Sequence, residues 1–188
     1  MLESNSFAVE GPRRSGKSRF WQITNANTGE SIGAALEQTG YLIGSLLRLL
    51  GTRWLPLIVE VREKPDDSLV FTLQKDWHLF HSSVEVRDAM ESSVGHLKYR
   101  STRGGARFEI YDKDGKDFGV LALTTDFSHW PLSFFDGSKT LAMISRSDRD
   151  GILLLQVDAE LTDQPLAKML LLAATLSLSQ RILTGAKA

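Results

Sequence analysis

The chain has 188 residues, 42% hydrophobic and 24% charged, and its 22 Lys and Arg against 23 Asp and Glu leave a net charge of −1. That length suits one domain with a sizeable core, and the balanced charge supplies no global basic field to draw the chain onto nucleic acid. There is no cysteine, which excludes disulfides, thiolate catalysis, cysteine-ligated zinc and palmitoyl anchors.

Residues 1–17 are polar and rich in Gly, Arg and Ser, and are predicted to be a flexible arm ahead of a single domain over 18–188. The opening Met1-Leu2-Glu3-Ser4-Asn5 lacks the basic-then-apolar order of a secretory signal, and Leu2 stands where N-myristoylation needs glycine. A cytoplasmic protein is expected. From Trp21 onward a unit recurs: alternating apolar and polar residues, a turn cluster, then an apolar residue often followed by glycine. Its copies begin at Trp21-Gln22-Ile23, Val59-Glu60-Val61, Val84-Glu85-Val86 and Phe108-Glu109-Ile110. The turns are Asn25–Gly29, Pro65–Asp67, Asp88–Glu91 and Asp112–Gly115, and the returns carry Ile32-Gly33, Val70, Val94-Gly95 and Phe118-Gly119. A shorter copy spans Leu132–Ile144 around Asp136-Gly137, and a last strand is predicted over Ile152–Val157. Period-two alternation turns one apolar face of each strand inward, so Ile23, Val61, Val86 and Ile110 are core candidates. Hairpins at this pitch, with little helical periodicity between them, predict a mainly β fold: a closed antiparallel barrel without exposed edges.

Two segments break the pattern. Gly40–Gly51 can be a short helix or an apolar loop. Pro165–Leu183 is predicted to be a helix, with Thr162 or Asp163 as cap, Pro165 in its first turn and Gly185 at its end. It is apolar on almost every face, which requires burial in protein or in lipid. Its uncharged stretch from Met169 to Gln180 is short of the ~20 residues that span a bilayer. Burial inside the barrel is the expectation.

The strand–turn–Gly units, above all Val84–Asp88 with Val94-Gly95 and Phe108–Gly115 with Phe118-Gly119, together with Leu46–Leu50 ahead of Leu57–Val61 and the final Leu166–Leu172, resemble the tubby-like superfamily. The nearest likeness is to its phospholipid-scramblase-related (LURP-one-like) branch, over about residues 18–184. The resemblance implies a barrel of about twelve strands threaded by its apolar C-terminal helix. It also implies a lipid- or membrane-surface-associated module, since scramblases are described as calcium-dependent lipid movers and tubby proteins bind phosphoinositides. This chain departs from the scramblases: it has no Pro-rich N-terminal region, no cysteine cluster, and an irregular acidic segment before the last helix. Lipid movement is therefore not expected of it.

Several motifs compete with that reading. Gly11–Ser18 matches the phosphate-loop pattern G-x-x-x-x-G-K-[ST], and Ile152–Asp158 can pass for the strand that ends in a magnesium-binding aspartate; together they suggest a nucleotide hydrolase. A phosphate loop must open a helix, and Arg19–Thr24 reads as a strand, so no enzyme is predicted. Asp112–Asp117 opens like a calcium loop, but Leu123 occupies the position of the twelfth-residue carboxylate, and a hairpin turn is expected. Asp148, Asp150, Asp158, Glu160 and Asp163 crowd the sequence before the helix and are read as a solvated acidic surface, with weak calcium binding as the alternative. His78, His81, His96 and His129 lack zinc-ligand spacing, and neither metal nor cofactor is expected. No G-x-S-x-G elbow occurs. The tryptophans Trp21, Trp54, Trp77 and Trp130 are read as barrel and rim packing.

The strongest binding candidate is Ile43–Trp54, in which Leu46, Leu47 and Leu50 are flanked by Arg48, Arg53 and Trp54. Leucines with flanking cations and a tryptophan suit a bilayer surface; the competing reading is a loop folded over the barrel end. The expected function is non-catalytic binding at an anionic phospholipid surface, peripheral to the inner membrane face, or of a protein partner. A cytosolic interaction scaffold without ligand is the other alternative.

Overall fold

A computed structural model describes residues 1–15, 18–38, 57–75, 83–102, 105–123, 130–148 and 151–185. Twelve strands follow in chain order: β1 (Ser6–Ser15), β2 (Ser18–Asn25), β3 (Ser31–Gln38), β4 (Leu57–Glu63), β5 (Ser68–Lys75), β6 (Ser83–Asp88), β7 (Ser93–Thr102), β8 (Gly105–Asp112), β9 (Asp117–Leu123), β10 (Leu132–Asp136), β11 (Lys139–Arg146) and β12 (Ile152–Val157). Each pairs antiparallel with its sequence neighbours, and β1 closes the ring on β12. A short 3-10 turn (Ala159–Leu161) leads to helix α1 (Pro165–Gly185). The predicted arm is therefore corrected: Ser6–Ser15 is the first strand, with Val9 paired to Leu153 on one side and Ile23 on the other. The segment misleads because its basic end, Arg13–Ser15, lacks the apolar alternation of the other strands; it pairs with β2 alone.

The recurring unit has a structural meaning. In each of the hairpins β2–β3, β4–β5, β6–β7, β8–β9 and β10–β11, the register slips by one residue just before the turn. The extra residues are Ile32, Val70, Val94, Phe118 and Leu141, and all of them pack on the core. These are bulges, which bend a strand and increase its twist; repeated at one end of every hairpin, they coil the sheet toward closure. A small residue follows the bulge at four of the five (Gly33, Gly95, Gly119 and Ala142), whereas Phe71 follows Val70. A Cβ on Gly33 would lie 2.6 Å from the Arg62 carbonyl oxygen, and one on Gly95 would lie 2.2 Å from that of Tyr111. Bare backbone is the only fit there.

The barrel's interior is occupied by α1. Ile23, Val61, Val86 and Ile110 have no exposed surface, as the alternation predicts. Helix residues Ala167–Leu176, Leu178 and Ser179 are buried. The helix touches β1 and β12 on one wall and β6, β7 and β8 on the other. Strands β1 and β7 stand six places apart in a ring of twelve, so α1 spans the lumen from wall to wall. A helix apolar all round is what such a site demands. Its hydroxyls do not interrupt this: Thr175, Ser177 and Ser179 donate to the carbonyls of Leu171, Ala173 and Leu176. Leu166, in the first turn, is 47% exposed and lies outside the packed segment. No described helix is long and apolar enough to cross a membrane.

The two ends of the barrel differ. One end, here the turn rim, carries the tight connections: 26–30, 64–67, 89–92, 113–116 and 137–138, with the start of α1. The other, the loop rim, is where Ser15, Gln38, Lys75, Thr102, Leu123 and Arg146 end their strands and where α1 runs out. The connections 39–56, 76–82 and 124–131 each follow a strand that ends at this rim and precede one that begins there.

Candidate functional site

The turn rim is built by aspartates and asparagines that close their own turns. Asp112 Oδ1 accepts from the amides of Asp114 and Lys116 at 2.9 Å each. Asp88 Oδ1 does the same for Met90 and Ser92, and Asn25 Oδ1 for Asn27. The resemblance of Asp112–Asp117 to a calcium loop ends there, because its first carboxylate is spent on the hairpin's backbone, as expected of a turn. Asp148 stands at the loop rim, whereas Asp158, Glu160 and Asp163 follow β12 at the turn rim; the run that looks clustered in sequence is divided by the length of a strand. Asp150 lies outside the described residues. Among the described residues no group of His, Asp and Glu could hold a metal ion.

The nucleotide-binding strings are separated in the same way. Gly11–Ser15 is extended strand and Ser18 begins β2, while Asp158 terminates β12 at the opposite rim, where its carboxylate accepts from the Glu160 amide at 2.9 Å. Six residues of strand place the two ends roughly 20 Å apart, so Ser18 and Asp158 cannot share one magnesium ion. Gly16 and Lys17 lie outside the described residues.

The loop rim carries cations. Arg13 pairs with Glu10. Arg19 faces inward and donates to buried Glu37, Nε to Oε2 at 2.6 Å; with the Gln180 amide turned so that its oxygen faces Arg19, that oxygen accepts from Nη1 at 3.1 Å. Beside this pair, Trp21 Nε1 donates to Ser179 Oγ at 2.9 Å. Together these contacts tie the last turns of α1 to β2 and β3. On the outer wall, Arg100 Nε (2.7 Å) and Arg107 Nε (3.6 Å) share one carboxylate, Glu109. That hydrogen bond raises Arg100 above its ordinary range. Tyr111, which also donates to Glu109, is pushed up by burial first and by Glu109 second. His96 stacks on Tyr111 with centroids 4.7 Å apart; burial, then Lys98, lowers it, against Glu85 and Asp112. Arg146, at the end of β11, lies over the Trp130 ring at 5.9 Å. The turn rim has the opposite balance: Asp66, Asp67, Asp88, Glu91, Asp114 and Asp136, with others, outnumber Lys64, Lys113, Lys116 and Lys139. Among the described residues the barrel is thus polarised along its axis, acidic at the turn rim and with an excess of arginine at the loop rim.

The helix fills the interior along its buried length. Between Arg146, Leu153, Ser179 and Ile182 there is room for about 10 Å³, the space of about one water. A larger groove of about 510 Å³ opens at the turn rim between Leu2, Glu3, Glu63, Val70, Asp163 and Pro165. Beneath it lies Lys168, fully buried, whose Nζ donates to the Leu2 carbonyl at 2.7 Å. Burial depresses Lys168 below the ordinary lysine range, against the pull of Asp163 and Glu3.

The sequence candidates Leu46, Leu47, Arg48, Leu50, Arg53 and Trp54 lie outside the described residues, as do Trp77, His78, His81 and His129. The residues that flank the first group, Gln38 and Leu57, both stand at the loop rim. The inward Arg19–Glu37 pair was not singled out from sequence, although the signal is present, since Arg19 shares the parity of Trp21 and Ile23, and Glu37 that of Ala35; the sequence marks Lys168 as the charge that closes the helix's uncharged stretch, not as a buried group. No family model, curated protein or solved structure matches this chain.

Proposed function

We propose that the protein is a non-catalytic, tubby-like barrel of the scramblase-related kind that docks reversibly, by its loop rim, on an anionic phospholipid surface at the cytoplasmic face of a membrane. The observation that carries this reading is the axial charge polarity: the rim where β3 ends at Gln38 and β4 begins at Leu57, on either side of the leucine- and arginine-bearing sequence 39–56, is also the one with an excess of arginine. The filled lumen favours surface contact over enclosure of a lipid. Each basic residue near an anionic surface contributes about 1 kcal/mol, so the few on this rim cannot hold the protein alone and leucine insertion must add to them. Nucleotide hydrolysis draws no support, because the residues it needs stand at opposite rims.

Co-sedimentation with anionic vesicles at low salt tests the proposal. Wild type is expected to pellet, less so as salt rises, and Leu46→Asp plus Leu47→Asp to stay in solution. Equal pelleting of the two proteins would discard this stretch as the contact. Failure of wild type to pellet at low salt would discard membrane docking and leave a cytosolic interaction scaffold as the better reading.

A further inference from the structure

The loop-rim arginines are not equivalent. Arg13 is neutralised by Glu10, Arg19 by Glu37, and Arg100 and Arg107 divide Glu109 between them. Arg146 is exposed and meets no carboxylate among the described residues. Its contact is the face of half-buried Trp130, which packs on the core from the segment before β10. With Leu153 and Ile182, Arg146 also lines a small dent. A guanidinium within cation–π range of an aromatic ring is drawn to that side, and its planar fork of N–H donors matches a phosphate oxygen pair. A tryptophan beside it suits the headgroup level of a bilayer.

We infer that Arg146, positioned by Trp130, is the headgroup anchor of the loop rim and binds the phosphodiester of an anionic phospholipid. This rests on the membrane-docking reading above and adds to it a named residue and a ligand chemistry. The occupant is a lipid phosphate rather than a free one: the dent is too shallow to enclose an ion, whereas an open rim with half-buried Ile182 beside the arginine can meet a surface.

The test compares wild type, Arg146→Gln, Arg146→Lys and the charge-neutral pair Glu10→Gln plus Arg13→Gln, with vesicles of phosphatidylcholine alone or with phosphatidylglycerol added. Binding to the anionic vesicles is expected to weaken about fivefold in Arg146→Gln, the weight of one basic residue at such a surface. Arg146→Lys keeps the charge but not the planar fork, and is expected to weaken binding about threefold. The Glu10/Arg13 pair should bind as wild type does. A general contribution to rim charge would leave Arg146→Lys at the wild-type level, and that result overturns the inference, as does undiminished binding of Arg146→Gln. If millimolar inorganic phosphate perturbs the Arg146 Nε resonance and displaces the protein from vesicles, the ligand is free phosphate and the lipid assignment falls. If wild type binds no anionic vesicle, the docking reading itself has failed; if it binds and the Arg146 variants match it, only the anchor has.

Discussion

Leu171 tests whether α1 is the barrel's filling or an appendage. Its side chain has no exposed surface, and it lies midway along the buried segment Ala167–Leu178. Truncation of a leucine so placed costs about 2–5 kcal/mol, because the transfer energy of the lost methyls adds to that of the cavity left behind. For a domain of this size each kcal/mol lowers Tm by about 2–4 °C; a central cost of about 3 kcal/mol then corresponds to a fall of roughly 6–12 °C. Leu166 is the internal control. It belongs to the same helix but is 47% exposed, and Leu166→Ala should stay within about 0.5 kcal/mol of wild type. Thermal melts followed by circular dichroism compare the two. Deletion after Asp163 removes every helix side chain from the core at once and should leave no soluble fold. Equal melting of Leu171→Ala and Leu166→Ala, or a chain ending at Asp163 that remains soluble with a cooperative β-type melt, would refute the plug.

Three further outcomes follow from named contacts. The Lys168 ammonium is disfavoured in the folded barrel, so the unfolded chain binds more protons between the lowered folded pKa and the ordinary value of about 10.4. Wild-type stability should therefore rise with pH, relative to Lys168→Met, across that alkaline window, with Asp163 and Glu3 the acidic groups that face Lys168; urea titrations at pH 8 and 10.5 with parallel trends in the two proteins would contradict this. Gly95→Ala places a Cβ against the Tyr111 carbonyl oxygen and within 3.1 Å of Leu170 Cδ2, and should destabilise by about 1–3 kcal/mol in denaturant titration, whereas Gly115→Ala meets no neighbouring atom and is disfavoured only by its φ of +76°. Lys17→Ala should leave the thermal midpoint unchanged with or without magnesium-ATP; a midpoint raised by the nucleotide in wild type and not in the variant would restore the nucleotide site.

Sequence alternation was sufficient for the barrel because each strand buries one face and the turn aspartates and glycines mark every hairpin. It also carried the plug, since a helix apolar on all sides needs walls on all sides. The first strand was hidden because Arg13–Ser15 reads as a basic arm, and its identity depends on β12, more than 130 residues later in the chain. Four of the five bulges were visible only as a habit of apolar residue plus small residue, and Val70, followed by Phe71, lacks even that; that Ile32, Val70, Val94, Phe118 and Leu141 are the inserted positions requires the register. Lys168 reads in sequence as the charged boundary of an apolar run, yet it lies wholly inside, because the segment around Leu2 covers the mouth and offers it a carbonyl. The charge polarity was hidden for a different reason: acids and bases alternate along the chain and cancel in composition, and only the up-and-down path of the strands sorts them to opposite rims.

The orientation of the barrel on a membrane is the most direct test of docking by the loop rim. The absence of native cysteine permits single spin labels at Asp148→Cys on the loop rim and Asp114→Cys on the turn rim, both at exposed positions. Paramagnetic-relaxer accessibility, measured with and without anionic vesicles, reports which label meets lipid. The account predicts that the label at position 148 loses exposure to a water-soluble relaxer and gains exposure to oxygen on binding, while that at 114 is unchanged. Vesicle-bound protein in which the label at 114 is the one shielded, or in which neither label responds, would contradict it.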